Sequence, residues 1–149
     1  MFNPLTPTAM KVFVYGTLRK ELGNHYLLQD SVYLGTGVTA QQYLMLESSV
    51  GHSIPYVVKP NEATKNHVSN IEGELYEVDD LTLAHLDRLE GHPGWYKREY
   101  VDVVVDNDTI KAMMYMMPWS EFKHRTLLYV NESGDFFQSP TIVPMALLV

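Results

Sequence analysis

The strongest constraint on this chain is the distribution of its strand signals. Residues 11–15, 32–46, 54–58, 72–78, 100–105 and 110–117 are each rich in β-branched or aromatic side chains, the types that fit a pleated, half-buried surface. They follow one another closely, with no regular alternation of strand and helix, which argues against a doubly wound parallel sheet. Gly35 and Gly37 predict a kink or bulge in the second run, and Pro55 puts the third at an edge or bulge. Asp106-Asn107-Asp108 reads as the turn of a hairpin joining the last two. The expected fold is α+β: a small mixed or antiparallel β-barrel with flanking helices.

One helix is clear, over residues 81–90. Asp79 or Asp80 can cap its first amides, Gly91 stops it and Pro93 cannot extend it. At about 100° per residue, Leu83, Leu86 and Leu89 share one side of the wheel and Glu90 falls between Leu83 and Leu86. Arg88 and His85 take the opposite side, and Asp87 sits at the edge of the stripe. An acid on an apolar stripe is a conflict between levels, and such conflicts often mark function. Burial and the negative end of the helix dipole both push a carboxyl there toward neutrality, where it can exchange protons near pH 7. The same wheel also fits a frayed end, with Glu90 bent into water or paired with Arg98 or Lys97. A shorter helix is expected at residues 24–28. Residues 122–130 read equally as helix or strand, and residues 140–149 as an apolar, packed tail.

At 149 residues the chain is expected to be one domain, here residues 11–149 behind a flexible arm of residues 1–10. With no cysteine, disulfides, thiolate metal sites and thiol nucleophiles are excluded. A net charge of −7 argues against a nucleic-acid binder, which needs cations to neutralise phosphates. No membrane span or signal peptide is read, so the expected compartment is the cytoplasm. The six histidines show neither HxxxH nor HExxH spacing, and no metal site is expected.

The first run ends abruptly at Tyr15-Gly16-Thr17-Leu18-Arg19. Such a turn can aim successive amides into one concavity and hold a carboxylate or oxyanion; it is equally an ordinary glycine turn. Tyr115 lies among Met113, Met114, Met116 and Met117, and alternation groups it with Met113 and Met117. It is either core or a hydroxyl aimed at a pocket. Tyr96 and Arg98 can position Glu90 or close a rim. Glu72 and Glu74 share a strand face, expected to be solvated.

Taken in order, Tyr15-Gly16-Thr17-Leu18-Arg19, Ile54-Pro55, Gly73 to Val78, Leu86-Asp87-x-Leu89-Glu90-Gly91 and Tyr96-x-Arg98 resemble the γ-glutamylcyclotransferase-like (AIG2-like) family, most closely its γ-glutamylamine cyclotransferase branch. The resemblance spans residues 11–117; the arm and the segment after Trp119 depart from it. It implies a small mixed barrel and a catalytic acid at Glu90. It implies a substrate site using Tyr15, Gly16, Thr17, Leu18 and Tyr115, to which the residue reading adds Arg19, Ile54, Pro55 and Tyr96. The implied reaction is attack of a substrate's α-amine on its own γ-carbonyl, releasing 5-oxoproline and an amine or amino acid, with no cofactor and a small γ-glutamyl compound as the partner. The alternatives are a non-catalytic carboxylate-binding module and a protein-interaction module on the same fold.

Overall fold

The computed structural model describes residues 10–20, 22–48, 55–62, 64–118 and 128–137. Residues 1–9 of the expected arm, Ile54, residues 122–127 and the apolar tail at 140–149 lie outside them; Met10, placed in the arm, is instead the first residue of a strand, and 128–130 are strand. Among these residues seven strands and one α-helix follow in the order β1 (Met10–Val14), β2 (Val32–Ser48), β3 (Pro55–Val58), β4 (Ser69–Val78), α1 (Asp80–Glu90), β5 (Lys97–Val105), β6 (Asp108–Met116) and β7 (Leu128–Val130). A 3-10 turn, His25–Leu28, stands where the shorter helix was expected.

Five strands close into a barrel. β2 pairs with β4, β4 with β1, β1 with β6 in parallel, and β6 with β5. Val38 and Thr39 of β2 then meet Val104 and Val103 of β5 and complete the circuit. Closure removes the free edges that an open sheet of this size would carry. β2 manages it by length and irregularity: its register with β4 shifts between Tyr33 and Gly35 and again between Val38 and Gln42, the kinking its glycines predict. Its far end leaves the barrel and pairs with β3 and β7. Pro55 opens β3, at the end of the sheet order, where a missing N–H costs nothing. In the hairpin, Val105 faces Asp108, so the turn is Asp106-Asn107 and Asp108 already belongs to β6.

Two apolar clusters follow from strand alternation. One takes Phe13, Ile71, Leu75, Val101, Val103, Val105, Ala112, Met114 and Met116 from the barrel strands and fills the barrel. The other, on the outer face, joins Val12, Val14, Tyr76, Val78, Met113, Tyr115 and Met117 to Leu83 and Leu86 of α1. The methionines divide as alternation requires, with Tyr115 on the helix side. No helix among the described residues is long and apolar enough to cross a membrane.

Two packing expectations fail. Glu74 is buried, at 6% exposure, because the loop after β1 and the chain after β7 cover its face of β4. Its carboxylate accepts the Lys20 N–H at 2.8 Å and the Tyr76 hydroxyl at 2.9 Å. Leu89, placed on the core stripe, is 43% exposed, because the last turn of α1 runs past the packed surface to the mouth of a cavity.

Candidate active site

α1 is built to end where it does. Asp79 accepts the Thr82 N–H at 2.7 Å, satisfying one of the open amides of the first turn. Gly91 ends the helix in the left-handed region, with φ +67, and hands its N–H to Arg88. A side chain there would be strained. The chain then doubles back: the Trp95 N–H bonds to Gly91 C=O at 2.8 Å and the Tyr96 N–H to Glu90 C=O at 3.1 Å. This reversal brings Glu90, Trp95 and Tyr96 to one place.

They meet the loop after β1. The Arg19 N–H closes a turn on Gly16 C=O at 3.0 Å. A Cβ on Gly16 would lie 2.7 Å from Pro55 Cγ, so only glycine lets the loop pack on the start of β3. Loop, helix end and strand ends enclose a cavity of about 420 Å³. Phe13 to Leu18 and Asn24 line one side; Pro55, Tyr56, Leu89, Glu90, Trp95, Tyr96 and Tyr115 line the rest. The Tyr56 and Tyr96 rings stack at 6.0 Å, and the Tyr96 hydroxyl donates to Pro55 C=O at 2.9 Å.

Of the residues singled out in the sequence, Tyr15, Gly16, Thr17, Leu18, Pro55, Glu90, Tyr96 and Tyr115 converge here. Ile54 lies outside the described residues. Arg19 does not reach the cavity. It is buried on the far side of the loop, 2.9 Å from Asp135 and 3.8 Å from Glu74, with its guanidinium over the Phe137 ring. A buried guanidinium needs compensating charge, and two acids on that side supply it. Phe13, Val14, Asn24, Tyr56, Leu89 and Trp95 complete the wall without having been singled out as site residues. Asn24 donates to Thr17 Oγ1 at 2.8 Å, and its closeness in sequence to the glycine turn was the one available sign.

The acids near the helix end have opposite surroundings. Among the described residues nothing hydrogen-bonds or pairs with the Glu90 carboxyl, and burial pushes it up to about 7. Arg98 and Lys97 do not pair with it. Arg98 instead grips Asp87, Nε at 2.8 Å and Nη2 at 3.1 Å, and the Tyr115 hydroxyl donates to Asp87 at 2.6 Å. Burial works against ionisation of Asp87, but these donors outweigh it and hold its carboxyl below the usual range. Tyr15 donates to Tyr115 C=O at 2.6 Å. Burial first, and then the charge of Glu90, raises its phenol. Tyr115 is raised by burial and by its bond to Asp87, with a smaller contribution from Glu90.

A small barrel with a glycine loop facing a desolvated acid across a cavity defines a class of pocket suited to proton transfer on a small polar molecule. Similarity to known proteins narrows it. The profile described as "Gamma-glutamyl cyclotransferase, AIG2-like" matches residues 12–138, and the chain belongs to that family. A Methanocaldococcus jannaschii protein, provisionally named a gamma-glutamylcyclotransferase, is 44% identical over 127 residues, covering 84% of this chain and 93% of its own. The rat protein named gamma-glutamylaminecyclotransferase is 33% identical over 99 residues, 63% of each chain. The crystal structure of a mouse AIG2-like protein superposes with a TM-score of 0.62 at 28% identity, covering 73% of this chain and 77% of that one.

Proposed function

We propose that this protein is a cyclotransferase that releases 5-oxoproline from a γ-glutamyl compound, with Glu90 as general acid and base. The carrying observation is the Glu90 carboxyl itself: it faces the cavity, has no partner among the described residues, and is held by burial at about 7. A group poised there can take a proton and return it at neutral pH.

The reaction needs both transfers. The substrate's α-ammonium loses a proton to Glu90 and the freed nitrogen attacks the γ-carbonyl carbon, closing a five-membered ring. The tetrahedral intermediate collapses with cleavage of the bond to the leaving nitrogen, which takes the proton from Glu90, while the ring nitrogen gives its second proton to the Glu90 carboxylate so freed, which passes it to the departing amine. Nucleophile and electrophile belong to one molecule, so the pocket must only hold the folded conformer. The Gly16–Leu18 amides are suited to the α-carboxylate or the developing oxyanion. No cofactor is required by this chemistry. Among substrates, γ-glutamyl amines rank ahead of glutathione, on the loop motif and on the name of the rat relative.

The test is incubation with a panel of γ-glutamyl amines, γ-glutamyl amino acids and glutathione, reading 5-oxoproline. Release from at least one member is the expected result. No product, together with ligand-induced thermal stabilisation, would instead identify a carboxylate-binding module. Neither product nor stabilisation would leave an interaction protein.

A further inference from the structure

Tyr115 lines the cavity, and its hydroxyl meets Asp87. Its proton has one destination in this arrangement. Asp87 is a carboxylate already gripped by the Arg98 guanidinium through both oxygens, and an ionised carboxylate can only accept. The 2.6 Å contact is therefore donated by Tyr115, at the length of a charge-assisted O–H···O⁻ bond. Tyr15 fixes the other end of the same residue by donating to Tyr115 C=O at 2.6 Å. Both the ring's tip and its backbone are thus held.

A phenol whose O–H is already donated offers other partners only its lone pairs. What Tyr115 offers the cavity is an acceptor. Glu90 offers another when ionised, and the two line the same cavity. Two acceptors attract a donor group and repel an oxyanion. The Tyr96 and Tyr15 protons are likewise committed, to Pro55 C=O and Tyr115 C=O. None of these three phenols is available to stabilise negative charge on the γ-carbonyl.

We propose that Asp87 is a positioning residue: it fixes the Tyr115 hydroxyl as a hydrogen-bond acceptor, so that Tyr115 and Glu90 together seat the substrate's α-amine. This rests on the γ-glutamyl reading and deepens it, giving the amine and the carboxylate of the substrate separate seats, the latter on the loop amides. Glu90 is then beside the nitrogen it must deprotonate.

The test is a double-mutant cycle on turnover, combined with binding of two unreactive ligands, glutamine-like in skeleton, one with the α-amine and one without. The Tyr115 hydroxyl and Arg98 Nε share one Asp87 oxygen, so the variant must lack an acceptor altogether: Asp87→Leu removes it with a similarly branched side chain and frees the Tyr115 proton to face the cavity. Tyr115→Phe removes the acceptor. Each should lower kcat/KM by about 10- to 100-fold, the range for a hydrogen bond to a charged group. In the Tyr115→Phe background the Asp87→Leu change should add nothing, because Asp87 acts through that hydroxyl. A merely structural Asp87 would instead multiply the two losses, and that overturns the proposal. The wild type should prefer the amine-bearing ligand, and Tyr115→Phe should lose that preference; an unchanged preference also overturns it. The binding comparison decides alone if Asp87→Leu fails to fold. It decides equally if no γ-glutamyl compound turns over, an outcome that would sink the enzyme reading without touching the amine seat.

Discussion

Glu74 and Glu90 are both acids set against apolar surroundings, and both lie beside the loop that follows β1. On one side of that loop Glu74 accepts the Lys20 N–H and the Tyr76 hydroxyl, with the Arg19 guanidinium 3.8 Å away. On the cavity side Glu90 has no such partner among the described residues, and its carboxyl is pushed up to about 7. Glu74 is buried and Glu90 half-buried; donors and a cation stand only beside Glu74. Glu74 is locked into holding the loop, while Glu90 is left free to exchange a proton. A buried acid becomes a functional candidate through what is missing around it, not through burial as such.

The largest expected effect comes from cancelling the free acid. On the proposed mechanism Glu90→Gln keeps the shape and removes the proton carrier, so 5-oxoproline release should fall by about 10²- to 10⁴-fold, the usual contribution of a positioned acid or base. Unfolding should remain cooperative. Glu74→Gln should do the reverse, lowering the denaturation midpoint while turnover stays measurable. Equal loss of turnover from both variants, with both folds intact, would erase the distinction.

Arg19 sharpens the paired side. Its side chain is buried against Glu74 and Asp135, so Arg19→Met removes the cation and leaves two acids uncompensated. Breaking a buried pair in this way costs about 3–5 kcal/mol, readable as a lower urea midpoint at unchanged m. The stem of Met preserves the packing, and the guanidinium does not line the cavity. Turnover measured well below the melting temperature should therefore survive, with any change confined to KM. Loss of turnover in a fully stable variant would return Arg19 to the role expected from the sequence, that of a substrate ligand.

The free side has its own signature in stability. The Glu90 carboxyl goes from an ordinary 4.5 to about 7 on folding. Between those values the native state holds a proton that the unfolded chain has lost. Stability must therefore fall as pH rises from 4.5 to 7, and level off above. The fall amounts to at most about 3 kcal/mol. Glu90→Gln should flatten it, making the variant the more stable protein at pH 8 and the equal of the wild type near pH 4. Melting curves across that range check the sign; parallel curves would mean that Glu90 is solvated.

How much of this was legible in the residues differs between the two sides of the loop. The barrel strands, the capped helix and its glycine stop follow from alternation, periodicity and cap chemistry, which are local. The placement of Glu90 came from the same local source. The partners of Glu74 and Arg19 did not, because Asp135 is 116 positions away from Arg19 and no local pattern signals that the chain after β7 returns to cover β4. Alternation put Glu74 on the outer face correctly, but an outer face covered by other segments is not a wet one. Asp87 was legible only as a residue at the stripe's edge; its grip on Arg98 and Tyr115 depends on how α1 lies across β5 and β6. Gly16 was visible as a turn, while the reason for it, Pro55 packed where its Cβ would stand, is a contact between the loop and a distant strand.

The helix itself offers the smallest and finest cut. Leu86 and Leu89 look alike on the wheel, one turn apart, yet Leu86 is fully buried and Leu89 is 43% exposed at the cavity mouth. The centre of the buried stripe is set by Leu83 and Leu86, and Glu90 continues it past the point where packing gives way to the cavity. Leu86→Ala should cost about 2–5 kcal/mol, the range for a core leucine. Leu89→Ala should cost about 0.5 kcal/mol or less, as at an exposed site. Its effect should appear in KM instead, since the side chain lines the cavity. Denaturation midpoints for the two variants, set beside their KM values, separate a core residue from a wall residue. If Leu89→Ala proves as costly to stability as Leu86→Ala, the apolar stripe runs to the end of the helix and Glu90 faces packed side chains rather than substrate.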